Sequence, residues 1–438
     1  MQWDDLYHEM TGHLRNLIAI NTTNPPGNEI AAARYIRDVY QREGIDSLIL
    51  EPAEGRGSLV ARLHGSGARR PLLLMSHLDV VEADEAEWEY PPFAGTVAEE
   101  YLWGRGALDC KNTVVLWMMI LIMMKRFDIS HQRDVIFLGA ADEEAGGRFG
   151  AEWIVKNRFD LVDAEAALNE GGGLALGLLG KTYYTCQSGE KGNLWLRVTA
   201  RGRSGHGSVP REDNPVEALA GLLVRLRRTK SPLRFSRTVK GMFDVIAADQ
   251  PFHRSAVLRL MRWPFFAGMV LRAAPDREKA AVLGAMLRNT LSLTVLRAGS
   301  KVNVIPSEAS AELDFRLLPG CDVEEFYRDV LKVIGGGFHV EILDRRPATE
   351  SPVEHPMVDS IRRVVREHHP GSEVLPLLLP AVSDGSFFRE KGMAVYGFTP
   401  LLPGEEIDRI HGRNERISLE SLRFSLRVGW DVVRDFIS

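Results

Sequence analysis

Two histidines and several carboxylates stand where apolar runs of this chain stop. LLLMSHLDVV (72–81) opens as a strand would and then places His77 and Asp79 one residue apart. Side chains alternate along a strand, so both point to the same side, beyond its carboxyl end. An isolated H-x-D is usually a histidine capped by a nearby aspartate, and only partners elsewhere make it a metal site. GRGALDCKN (104–112) sets Asp109 between a glycine-rich turn and an apolar helix, where an aspartate is most often an N-cap. DVIFLGA runs into AADEEAGG, so Asp142, Glu143 and Glu144 follow a strand directly. A glutamate pair there can divide the work, one ligating a cation and the other holding a proton near neutral pH. ALNEGGG (167–173) ends a short apolar run at Glu170, before three glycines that let the backbone approach something closely. IHGRNERI adds His411. One zinc needs only three protein ligands. His77, Asp109, Glu144, Glu170 and His411, with one carboxylate bridging, fit two metals about 3.5 to 4 Å apart.

The elements that must position these residues follow from pattern. At 438 residues the chain exceeds one ordinary core, and a prior of about 150 residues per domain gives two or three. Up to about residue 190, the runs LVARL, LLLMS and DVIFLGA alternate with helical stretches, including a long apolar helix from about Asn112 to Arg126. That alternation predicts an α/β fold with a mostly parallel sheet covered by helices, whose active sites lie outside the carboxyl ends of the strands. From about 192 the period changes. NLWLRVTA, LSLTVLR, EASAELDFRLL and FHVEIL alternate as half-exposed strands, while PVEALAGLLVRLRR and EEFYRDVLKVI read as helices. The order β-α-β-β-α-β is the ferredoxin-like split unit, so 192–347 is expected as an α+β domain inserted into a catalytic domain of 1–191 and 348–438. An excursion at about 230–290 holds SAVLRLMRWPFFAGMVLRAA, apolar and basic without an acidic residue. Packed helices at an interface or above the substrate are expected there in preference to a membrane-surface helix.

Apolar residues at 45%, charged residues at 26% and a net charge of -5 describe a globular chain with no basic stripe for nucleic acid. Three cysteines (Cys110, Cys186, Cys321) form no disulfide framework and suit a reducing compartment. The amino terminus lacks the pattern of a signal peptide, and the apolar run 114–124 is too short to span a bilayer. A cytoplasmic location is the expectation.

SHLDVV, GRGALDCKN, DEEAGG, LNEGGG, SGHGSVP, KVNVIP and IHGRNERI, taken in this order and spacing, resemble the M20 family of metallopeptidases and deacylases. That family includes carboxypeptidase G2, acetylornithine deacetylase, succinyl-diaminopimelate desuccinylase and the aminoacylases. The excursion, Asn112 and AVSDGSFFREKGMAVYGFTPL are most similar to the branch of carboxypeptidase S and the N-fatty-acyl amino acid hydrolases. The resemblance implies a zinc-peptidase-like catalytic domain, an inserted lid and dimerisation domain, and a homodimer. It implies two zinc ions, or cobalt or manganese in their place. His77 and Glu170 would hold one, Glu144 and His411 the other, and Asp109 would bridge. Asp79 would fix the tautomer of His77. Glu143 would be general base and then general acid, working on a metal-bound hydroxide. His206 of SGHGSVP would donate to the oxyanion, commonly in the partner subunit's site, and Asn303, Arg316 and Gly385 would contact substrate. For Arg316 a surface pair with Asp314 is an equal alternative. The substrate class implied is an N-acyl amino acid or small peptide. A broad dipeptidase is the second enzyme reading, and a catalytically inactive scaffold the contrasting one.

Overall fold

The computed structural model describes residues 2–229 and 231–438. The near-continuous apolar runs become central strands because only a sheet covered on both faces can bury them. Leu72–His77 and Val135–Ala140 are buried at every position. Leu72–His77 lies between Val135–Ala140 and Ala166–Asn169, parallel to both, and Ala394–Gly397 adds in parallel beyond Ala166–Asn169. The flanks are antiparallel. Ser58–Leu63 pairs antiparallel with Val135–Ala140 and with Ser47–Leu50, so LVARL belongs to an edge hairpin rather than to the parallel series.

Lys111–Arg126 is the helix expected from about Asn112, and residues 111 to 124 are all buried. A helix apolar all round has no solvent face and must be enclosed. Trp3–Ala19 and Leu419–Ile437 pack against it, as does the strand Leu72–His77. This packing fixes the strand whose end carries His77 and the helix whose start follows Asp109.

The chain divides into two units. The first comprises Met1–Ser188, Ser351–Leu377 and Ser383–Ser438; the second comprises Gly189–Glu350 and Leu378–Val382. In the second, a four-stranded antiparallel sheet runs in the order Thr290–Ala298, Glu308–Leu317, Gly192–Arg201, Phe338–Arg346. Leu194, Leu196, Val198, Ala311, Leu313 and Phe315 form its buried face together with residues of the helices Pro215–Arg228 and Val323–Ile334. Asn214 and Asp322 cap those helices by accepting from the backbone N–H of Val216 and Glu325. The excursion folds into four short helices, Arg237–Ala248, Phe252–Leu260, Pro264–Ala273 and Arg277–Met286. The middle two are little covered within the chain. Ser255 and Ala267 are their only buried residues, and large apolar side chains face outward.

Two of the three glycines after Glu170, Gly172 and Gly173, meet the backbone of residues 397–399. A Cβ on Gly172 would stand 2.1 Å from the carbonyl oxygen of Gly397, and one on Gly173 2.1 Å from that of Thr399. Glu170 is therefore set by a contact that only glycine permits. Gly172→Ala is expected to overpack this junction, destabilising the fold by about 1–3 kcal/mol, read as a lower urea midpoint.

Candidate metal centre

Three parallel strands end on one side of the sheet, and the side chains just beyond them converge. His77 closes the first strand, Glu143 and Glu144 follow Ala140 by three and four residues, and Glu170 follows Asn169. Two loops complete the group, one bearing Asp109 ahead of the central helix and one bearing His411. Nε2 of His77 lies 3.1 Å from Oδ1 of Asp109 and 3.2 Å from Oε2 of Glu170. Nε2 of His411 lies 3.0 Å from Oδ2 of the same Asp109 and 3.2 Å from Oε1 of Glu144. Asp109 thus stands between two donor groups, one oxygen directed to each. All five residues singled out as ligands are brought together, and the donor atoms within each group lie within 4.8 Å of one another.

The electrostatics call for a cation. Burial opposes charge on His77, yet the Cys110 sulfur, Glu170, Asp109 and Asp79 around it raise its pKa well above the usual value. Burial and then the neighbouring carboxylates Asp109 and Glu144 raise that of Glu170, against the opposing pull of His77. His411, half exposed, is pushed up to about 10, chiefly by hydrogen bonds to Asp109 and Glu144. Carboxylates crowded this closely are stable only with a positive charge among them. Imidazole and carboxylate donors, grouped in threes with a shared oxygen donor, fit a pair of divalent ions of the zinc type. Cys110 lies in the His77 group as well. Its thiol is buried, contacts Ser76 Oγ at 2.9 Å and is held strongly toward the neutral form by that burial.

Glu143 is partly buried, and burial followed by Glu170, Asp384 and Glu144 raises its pKa well above the carboxylate range, with His77 opposing. A carboxyl so placed can hold a proton near neutral pH and give it back. Asp79 faces His77 with both its main chain and its side chain. Nδ1 of His77 is 2.9 Å from the backbone carbonyl of Asp79 and 3.4 Å from its carboxylate. The carboxylate's closer partners are Asn24 Nδ2 at 2.8 Å and the backbone N–H groups of Glu143 and Glu144, both at 3.1 Å. One aspartate therefore stands beside the histidine with carbonyl and carboxylate and holds the DEE loop through its side chain.

Behind that loop, Asp142 is buried at φ 72°, a left-handed conformation that costs a non-glycine residue energy. Its carboxylate pairs with Arg56 and accepts from Asn24 Nδ2 at 3.2 Å and from the N–H of Phe149 at 3.0 Å. Arg56 also meets Glu29 at 2.9 Å. Sequence reasoning missed this network and its counterpart on the other side. There Glu415, fully buried, accepts from Arg105 at 2.6 Å and from the backbone N–H of Gly106, Leu108 and Asp109 at 3.1, 2.7 and 3.0 Å. The visible signal was a glycine-rich loop with N–H groups in need of an acceptor, but nothing in the sequence pointed to a residue over 300 positions away.

Of the remaining candidates, His206, Asn303 and Arg316 belong to the second unit and Gly385 to the first. In the second unit, Gly205–His206 pairs with Val304–Ile305, and Asn303 accepts from the N–H of Gly207 at 2.8 Å, so His206 and Asn303 are neighbours. His206 is exposed, with Nδ1 2.7 Å from Ser208 Oγ. Arg316 is engaged by Asp314 at 2.8 Å and stacks over Trp195, which is the ion-pair geometry. Gly385, in the first unit, is buried and donates its N–H to Ser383 Oγ at 3.2 Å.

Residues 73–435 match the model of Peptidase family M20/M25/M40. The chain belongs to that family. It is 30% identical over 412 residues to the N-fatty-acyl-amino acid synthase/hydrolase PM20D1 of Xenopus tropicalis, covering 89% of this chain and 77% of that one. It is 26% identical over 403 residues to the probable succinyl-diaminopimelate desuccinylase of Staphylococcus epidermidis, covering 90% and 89%. Its fold matches that of the M20 family metallo-carboxypeptidase Sso-CP2 of Sulfolobus solfataricus with a TM-score of 0.78, at 18% identity over 98% and 99% of the two chains. Membership of the M20 peptidases makes this chain a metallohydrolase of amide bonds.

Two outcomes follow for the metal-free protein. Protonated His411 stabilises the metal-free fold, fully below its ordinary value of 6.5 and progressively less as pH rises through about 10. Adding a divalent metal near neutral pH must displace that proton, so calorimetry in buffers of different ionisation enthalpy is expected to record proton release, reduced in His411→Ala. Glu415→Gln strands the buried Arg105 charge and is expected to cost about 3–5 kcal/mol in a denaturant titration, with metal affinity falling about 10- to 100-fold.

Proposed function

We propose that this chain hydrolyses the amide bond of N-acyl amino acids or small peptides, with two zinc ions as cofactor. The observation that carries the proposal is the pair of donor groups sharing Asp109, with Glu143 on the loop beside them. His77 and Glu170 would hold one ion, Glu144 and His411 the other. Bound metal would polarise the scissile carbonyl and lower the pKa of water from 15.7 toward about 7. Glu143 then takes the water's proton and returns it to the leaving nitrogen, a role suited to a carboxyl whose surroundings favour its protonated form. Asp79 keeps the base and the Glu144 ligand in register through their backbone N–H groups. His206 would donate to the oxyanion, a contribution worth about 10²- to 10³-fold in rate when one donor is lost.

The acyl amino acid reading draws on the relatives named N-fatty-acyl-amino acid synthase/hydrolase. Asp314 occupies Nε and one terminal nitrogen of Arg316, so a substrate carboxylate would take the other terminal nitrogen or displace Asp314. Homodimerisation through the inserted unit is supported by the edge strand Thr290–Ala298, which leaves Leu293 and Leu296 exposed at 46% and 65%. Three free thiols fit a reducing compartment.

The test exposes the metal-loaded chain and Glu143→Ala to a panel of N-acyl amino acids and dipeptides, with released amines read by mass spectrometry. The parent is expected to release amine from acyl amino acids and the variant to do so about 10²- to 10⁴-fold more slowly with its metal content unchanged. Equal rates for the two proteins would remove Glu143 from the mechanism. No release by a parent holding two metals would remove the substrate class.

A further inference from the structure

The middle helices of the excursion, Phe252–Leu260 and Pro264–Ala273, present their apolar side chains to solvent. Phe252 is 90% exposed, Trp263 67%, Phe265 73% and Met269 52%. Single exposed apolar residues are ordinary, but a short stretch of chain that exposes several large ones marks an interaction surface. Charge identifies its partner. Residues 251–275 contain Arg254, Arg259, Arg262 and Arg272 and no aspartate or glutamate, in a chain whose net charge is -5. Arg262 pairs with Asp244 at 2.9 Å, and among the described residues Arg254, Arg259 and Arg272 form no ion pair.

We propose that this face docks on an anionic lipid surface. The two helices, of nine and ten residues, are far too short to cross a bilayer, and no helix among the described residues is long and apolar enough to do so. They suit a position in the plane of the interface, with Phe252, Trp263 and Phe265 at the boundary of headgroups and acyl chains and the guanidiniums on lipid phosphates. A second copy of the chain is a poorer occupant, because self-association would bring two sets of uncompensated arginines together. The inference is independent of the reaction assigned to the metal centre, since it rests on the inserted unit alone.

The experiment floats the full chain with vesicles of phosphatidylcholine alone and of phosphatidylcholine mixed with phosphatidylglycerol. Three proteins are compared: the parent, Trp263→Ser/Phe265→Ser and Arg259→Glu/Arg272→Glu. All four positions are exposed, and unchanged melting confirms the fold of each variant. The parent is expected to float with the anionic vesicles and to be released by salt. Charge reversal should lower its partitioning about fivefold or more per arginine, and the serine pair should abolish it. A vesicle-induced blue shift of tryptophan emission, weakened in Trp263→Phe, would place that ring in the interface. Failure of the parent to float with anionic vesicles, or equal flotation of all three proteins, overturns the proposal. So does a parent that binds no vesicle but sediments as a dimer that the serine pair dissociates, which would assign the face to a second copy.

Discussion

The buried ion pair of Arg105 and Glu415 is the contact on which the candidate metal centre depends. Arg105 lies in the glycine-rich loop that leads to Asp109, and Glu415 in the loop that carries His411. Joining them brings together two ligands separated by some three hundred residues of chain. Burying two charges is costly unless the remaining hydrogen-bonding capacity is met. Here it is met. Glu415 takes three backbone N–H groups besides the guanidinium, and Arg105 donates further to the carbonyl of Gly412 at 2.9 Å and stacks on Trp88. The N–H of Asp109 is one of those three, so the carboxylate that stands between the two candidate donor groups is held directly by the pair.

Asp79 does the same on the strand side. Its carboxylate collects the N–H groups of Glu143 and Glu144 while its carbonyl faces Nδ1 of His77. A ligand from one strand, a ligand from the next and the candidate base are therefore indexed to one residue. The order is local at both ends, and the mutual repulsion of the carboxylates of Asp109, Glu144 and Glu170 is what a divalent cation would relieve.

Much of this was legible in the chain. Apolar runs read as buried strands because few other structures can enclose them, and each carboxylate or histidine at the end of such a run was conspicuous for interrupting it. The helix after Asp109 was legible for the same reason. The antiparallel attachment of Ser58–Leu63 was not, because LVARL is equally apolar beside a neighbour of either direction. Nor were Asn24, Glu29, Arg56 and Glu415 conspicuous. Each is a common polar residue in a loop or at a helix start, and its significance lies in a partner far along the chain, such as Asp142 for Arg56. The outward-facing helices were legible as apolar, but composition alone does not say what covers them, because apolar side chains avoid water only when a partner is present.

The central claim is that Asp109 is shared between two metal ions, and metal content tests it most directly. Elemental analysis of the purified chain, of His411→Ala and of Asp109→Asn separates a shared ligand from an ordinary one. The account predicts two metals per chain in the parent, one retained in His411→Ala, and both lost from Asp109→Asn. Two metals retained in Asp109→Asn, or a single metal in the parent, would contradict it.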